Sequence, residues 1–159
     1  MVDRDARDRA AQLLRNFVSG KITNDEFADG CPSTLDRAIV AIWDTAWVLY
    51  DDLSEHRLTG RHRLTSDMRR ICVRWILFLH NNHEYEWPDT ILPGIDPATR
   101  TEQSFWRRLF GLPSTLLEPE VARRFLASGH YPVWPFVSAK DYSQALQNPR
   151  LLSVGSVRQ

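Results

Sequence analysis

Cysteine is almost missing from this chain: Cys31 and Cys72 are the only two in 159 residues. They form no C-x-x-C and no other metal-binding spacing. Cys72 falls on an apolar helical face, which predicts a buried free thiol rather than a disulfide. Net charge is missing too. Lys plus Arg and Asp plus Glu number 20 each, so the chain lacks the basic excess on which general nucleic-acid binding leans. Long apolar runs are absent. The longest, around Ile76 to Leu79, is far short of the roughly 20 residues that cross a bilayer, and Met1 to Arg15 is too charged for a signal peptide. The expectation is a cytoplasmic protein that engages neither nucleic acid nor membrane. Catalytic signatures are lacking as well: there is no H-E-x-x-H, G-x-S-x-G, P-loop or G-x-G-x-x-G. No internal repeat or low-complexity segment is visible.

What is present is apolar and aromatic. The apolar fraction is 43%, with six Trp and seven Phe, enough for an aromatic-heavy core. The length predicts one domain over residues 1–150, with 151–159 as a loosely ordered tail. Charge is unevenly placed. Residues 1–60 carry 7 basic and 11 acidic groups, net −4, and residues 61–159 carry 13 and 9, net +4. Such asymmetry favours internal pairing or a partner that reads one charged face.

The chain reads as an all-α, antiparallel helical bundle around a central helix over 33–53. Leu35, Ile39, Ile42, Trp43, Ala46, Tyr50 and Leu53 recur at steps of three and four, an amphipathic pattern. Val40, Ala41 and Val48 add apolar surface on the other side, leaving a narrow stripe of Arg37, Asp44, Asp51 and Glu55. Ser33 or Thr34 is the expected cap, with Asp36 in the first turn. Before it, Asp3 to Ser19 forms a helix ended by Gly20, and Ile22 to Phe27 a short helix capped by Thr23 or Asn24. After it, Ser66 opens a helix to about His80, packed against the central one across a short connection. Residues 81–88 and 89–100 read as loops, and Thr101 to Phe110 as a helix. Pro119 opens a helix over 120–128. Tyr131 to Val137 is expected to be irregular or a short strand, and Ser138 caps a last helix over 141–147. The C-terminal third is thus the least regular part.

Three stretches stand out together: Ile22-Thr23-Asn24-Asp25-Glu26-Phe27, Leu49-Tyr50-Asp51-Asp52-Leu53-Ser54-Glu55-His56-Arg57-Leu58-Thr59-Gly60, and Glu84-Tyr85-Glu86-Trp87-Pro88. They resemble segments of a group of small uncharacterised bacterial cytoplasmic proteins, over residues 10–90. In style that group is similar to immunity proteins, which bind and neutralise a toxin domain. The resemblance implies a binding role and carries over no functional residue.

The candidate surface is therefore acidic and aromatic. Asp44, Asp51, Asp52 and Glu55 gather towards the end of the central helix, where the helix dipole disfavours anions. They are either neutralised by Arg57, Arg61 and Arg63 or offered to a partner. Glu84, Tyr85, Glu86 and Trp87 add carboxylates and rings of the kind that anchor interfaces; the same rings could instead plug the end of the bundle. The leading expectation is a non-catalytic, cofactor-free protein, monomer or homodimer, that docks a toxin domain through these eight residues. One alternative is a metal-assisted hydrolase built on His80, His83 and nearby carboxylates. Another is a structural homodimer.

Overall fold

The first helix is written by its ends. Asp3 caps α1 (Arg4–Val18) by accepting a hydrogen bond from the Ala6 amide at 3.0 Å. At the other end Gly20 takes φ +72°, so its amide reaches Phe17 O and the Lys21 amide reaches Asn16 O. This is the paired termination that a left-handed glycine permits. A methyl group on Gly20 would also meet Thr59 Cγ2. The computed structural model describes residues 1–51, 53–89 and 119–148, and among these the chain is helical with no strand.

Thr23 caps α2 (Asn24–Asp29) in a reciprocal box with Glu26, satisfying two amides that the helix itself leaves unpaired. Next come α3 (Arg37–Ala46) with a 3₁₀ turn over Trp47–Leu49, a second 3₁₀ turn at Gly60–His62, and α4 (Ser66–Leu79). The C-terminal part holds α5 (Pro119–Ala127), a 3₁₀ turn at Tyr131–Val133 and α6 (Ala139–Gln147), the last capped by Ser138. The expected helix over Thr101 to Phe110, most of the 89–100 loop and the 151–159 tail lie outside the described residues.

The central helix is shorter than its apolar pattern predicts. Asp36 is its cap rather than a first-turn residue: its carboxylate accepts from the Ala38 amide at 3.0 Å and from Arg7. The chain leaves helical geometry at Tyr50. Ile39, Ile42, Trp43 and Ala46 point inward, while Leu35 and Leu53, read as inner-face positions, are 91% and 95% exposed. The main helix pair is α1 with α4, and α3 lies against both. Ala6, Ala10 and Ala11 on α1 are fully buried, and such small side chains let helices approach closely. The cap of α4 is Thr65, one residue before the expected Ser66. Among the described residues no helix is long and apolar enough to cross a membrane.

Two aromatic groups fill the interior. Phe27 stacks between Phe17 (centroids 4.8 Å) and Trp43 (4.3 Å), joining α1, α2 and α3. At the other end the rings of Trp75 and Phe78 on α4 meet Trp134 and Phe136 edge-on, at 5.9 and 5.0 Å. Edge-to-face packing of this kind adds about 0.5–1.5 kcal/mol per pair beyond area burial.

Candidate binding surface

Arginines position the irregular segments. Arg7 is fully buried. Its Nε and Nη2 donate to the Asp36 carboxylate at 2.7 and 3.0 Å, and its Nη1 donates to Asn81 O and His83 O at 3.2 and 2.8 Å. Arg4 grips the same turn through Asn81 O at 2.7 Å and Leu79 O. Arg37 on α3 donates to Tyr85 O and Trp87 O at 3.2 and 2.8 Å and pairs with Asp89 at 2.7 Å. Arg74 on α4 holds Trp134 O and Pro132 O at 2.7 and 2.6 Å. Arg57 holds Gly20 O and Lys21 O. The fork of donors on a guanidinium suits this, since one side chain can satisfy several carbonyls that no helix or sheet satisfies.

The consequence for the sequence-predicted surface is direct. Tyr85 and Trp87 are turned inward, at 5% and 0% exposure. The Trp87 indole donates to Pro135 O at 3.1 Å, and the Trp134 indole donates to the Tyr85 hydroxyl at 3.2 Å. Burial pushes that hydroxyl up to about 12. Both residues belong to the core, so neither ring is offered at the surface as an interface anchor. A loop held by arginines buries alternate side chains, which leaves Glu84 and Glu86 exposed on either side of Tyr85.

The acids differ in their surroundings. Asp51 accepts from the Leu53 amide at 2.9 Å and the Ser54 hydroxyl at 3.1 Å, contacts that hold its carboxyl below the usual range. It braces its own turn. Glu55 is exposed; Glu84 lies 3.0 Å from the Met1 amine. Asp52 lies outside the described residues. The Arg57 expected to neutralise this cluster reaches Glu26 instead, at 3.8 Å. Asp44 is different. Half-buried on the outer side of α3, it has no hydrogen bond or ion pair among the described residues, and burial raises its carboxyl above the ordinary value.

Around Asp44 the helix presents apolar groups that periodicity alone assigns to a packed second face. Val40, Trp47 and Val48 are each about half exposed (48%, 48% and 47%). With Asp44 they fall at steps of three, four and eight, along one side of α3 and its 3₁₀ extension. Beside this strip is a cleft of about 30 Å³ lined by Phe27, Ala28, Trp43, Ala46, Trp47 and Tyr50. Trp47 and Tyr50 meet edge-on at 4.6 Å, and the Tyr50 hydroxyl donates to Asp25 at 3.0 Å. Trp43 and Trp47 of this group escaped assignment as site residues because a helical pattern cannot say which apolar positions remain uncovered.

Among the described residues no three His, Cys, Asp or Glu side chains gather where they could hold a metal ion. His80 caps the end of α4, buried, with Nδ1 3.8 Å from Asp8; His83 is exposed, its ring 6.3 Å from that of Phe136. His56 and His62 stack at 4.5 Å, and the Arg61 Nε donates to His62 Nε2 at 2.8 Å. Cys72, fully buried, has its thiol pushed up to about 12 by burial, which leaves no thiolate at neutral pH to act as a nucleophile. No family model, no curated protein and no solved structure matches this chain.

Proposed function

We propose that this chain is a non-catalytic protein-binding protein, and that it docks its partner on the outer strip of α3 formed by Val40, Asp44, Trp47 and Val48. The observation that carries the reading is the combination on one helix side of three half-exposed apolar groups with a partly desolvated carboxylate that has no partner among the described residues. Trp is enriched among residues that dominate binding energy, and an unneutralised carboxylate amid apolar surface complements a basic, apolar partner. A second copy of the chain suits the strip less well, since a two-fold contact sets the same surface, Asp44 included, against itself. The most specific form of the proposal is an immunity-type protein in the cytoplasm, whose partner is a toxin domain that it blocks. Asp44 is retained from the sequence-predicted surface.

The test is affinity capture from native lysate with the wild-type chain and with Val48→Lys, which places a cation on the strip at an exposed position. The expected result is a stoichiometric partner bound by the wild type and lost from a variant of unchanged helical content. A partner retained equally by Val48→Lys, or none at all, rules the docking strip out. For the immunity-type form, co-expression with the captured partner should restore growth that the partner alone suppresses.

A further inference from the structure

The cleft beside the strip has a composition of its own. Its lining is largely aromatic: Trp47 and Tyr50 meet edge-on at 4.6 Å, and Phe27 stacks on Trp43 at 4.3 Å. Trp43 is buried, and its indole N–H has no acceptor among the described residues. The rim is acidic. Asp25 is tied to the Tyr50 hydroxyl, Asp29 lies one turn further along α2, and Asp44 precedes Trp47 by one turn of α3. The cations of these elements are committed elsewhere. Arg37 is engaged with Asp89 and two carbonyls at the opposite end of α3, and α2 contains no basic residue.

Size narrows the ligand. A cavity of about 30 Å³ exceeds what one water requires and is far below the roughly 300 Å³ and more of sites for cofactors and drug-sized molecules. It suits the tip of one side chain. Aromatic faces attract cations, and an acidic rim selects for them. Of the two common cationic side chains, arginine is planar, stacks on indole and is the more weakly hydrated. It therefore enters a narrow aromatic slot with less loss of hydration than lysine.

We propose that the α2–α3 cleft receives a single arginine guanidinium of the protein partner, stacked on Trp47 and neutralised by Asp25 and Asp44. The inference rests on the binding role proposed above and names the chemistry that the partner brings. The guanidinium would also supply the counter-ion that Asp44 lacks among the described residues.

Methylguanidinium is the probe, because it tests the slot without any partner. Titrated into the full chain at up to tens of millimolar, it should shift the backbone amide resonances of Ala28, Ala46 and Tyr50 saturably. Acetamide, the neutral planar analogue, and sodium chloride, a cation with no planar face, should leave them in place. Asp44→Asn should weaken the methylguanidinium response by about fivefold, the loss of one partly exposed ionic contact, and Trp47→Leu should abolish it, both with unchanged thermal midpoints. No saturable shift, an equal response to acetamide, or an undiminished response in Asp44→Asn overturns the inference. None of these outcomes touches partner capture through Val48. Conversely, a slot that binds methylguanidinium in a chain that captures no partner counts against the docking proposal alone.

Discussion

One guanidinium, that of Arg7, holds the cap of α3 and the turn after α4 to the first helix at once. All three of its nitrogens donate in a dry site, so removing the counter-ion is more damaging than the bond alone suggests. Asp36→Asn should cost about 3–5 kcal/mol, the range for stranding a buried charge, measured by urea unfolding. The pH dependence has a definite sign. Burial alone would raise the Asp36 carboxyl, but Arg7 and the amides of Asp3 and Ala38 more than offset this and hold it below 3.8. A depressed folded value contributes stability above the unfolded pKa and loses it as pH falls through the folded one. Unfolding free energy should therefore fall below about pH 4, and fall less steeply in Asp36→Asn. Asp44 is shifted the other way, so its ionised form opposes folding. Asp44→Asn should leave the thermal midpoint at neutral pH unchanged or higher, within about 0.5 kcal/mol in stability, while it weakens partner binding. Arg7 carried a signal in the sequence, since it falls on the same helical side as Ala10 and Leu14. Its partner, 29 residues away, did not, because nothing local encodes that distance.

At the scale of elements, what was legible is what neighbours in sequence decide. Thr23 with Glu26, Gly20, Pro119 and Ser138 all mark helix ends within a residue of where they fall, because capping is satisfied inside four residues of chain. Thr23→Ala should cost about 1 kcal/mol, with loss of amide protection concentrated in Asn24 to Phe27, read by hydrogen exchange. The extent of α3 was not legible. Leu35 and Leu53 extend its apolar period in both directions, and Val40 and Val48 add apolar surface on the other side, yet all four lie outward. Periodicity reports which positions share a side; it does not report whether another element covers that side. The over-reading and the missed strip therefore have the same cause: apolar residues placed where the described elements supply no cover.

In the molecule as a whole, the second aromatic group joins parts of the chain that lie far apart in sequence. Trp87 donates to Pro135 O and packs against Phe125 at 4.9 Å, and a Cβ on Gly129 would stand 2.9 Å from the Trp87 ring and 2.8 Å from Val137 O. Neither neighbour is a flexible tip that can swing away. Gly129→Ala should therefore destabilise by about 1–3 kcal/mol, the cost of overpacking, and raise exposure of the Trp87 indole, detected as a red shift in tryptophan emission. None of this was legible in advance, because Glu84 to Pro88 and Tyr131 to Val137 have no helical period. In such segments burial is set by what the arginines hold, not by spacing. All-helical character and aromatic richness were readable; the seating of the irregular segments was not.

The arginine grips have one more consequence. Except at Asp8, Asp36, Asp89 and Glu26, the acceptors that Arg4, Arg7, Arg37, Arg57 and Arg74 hold are neutral backbone oxygens or an amide side chain. Mobile ions screen attraction between net charges beyond about 8 Å at physiological ionic strength and have far less hold on contacts with uncharged oxygens. Dissolved electrolyte should thus loosen the acidic rim's attraction for a cationic visitor well before it loosens the scaffold, making affinity and folding two separately adjustable quantities in one small chain.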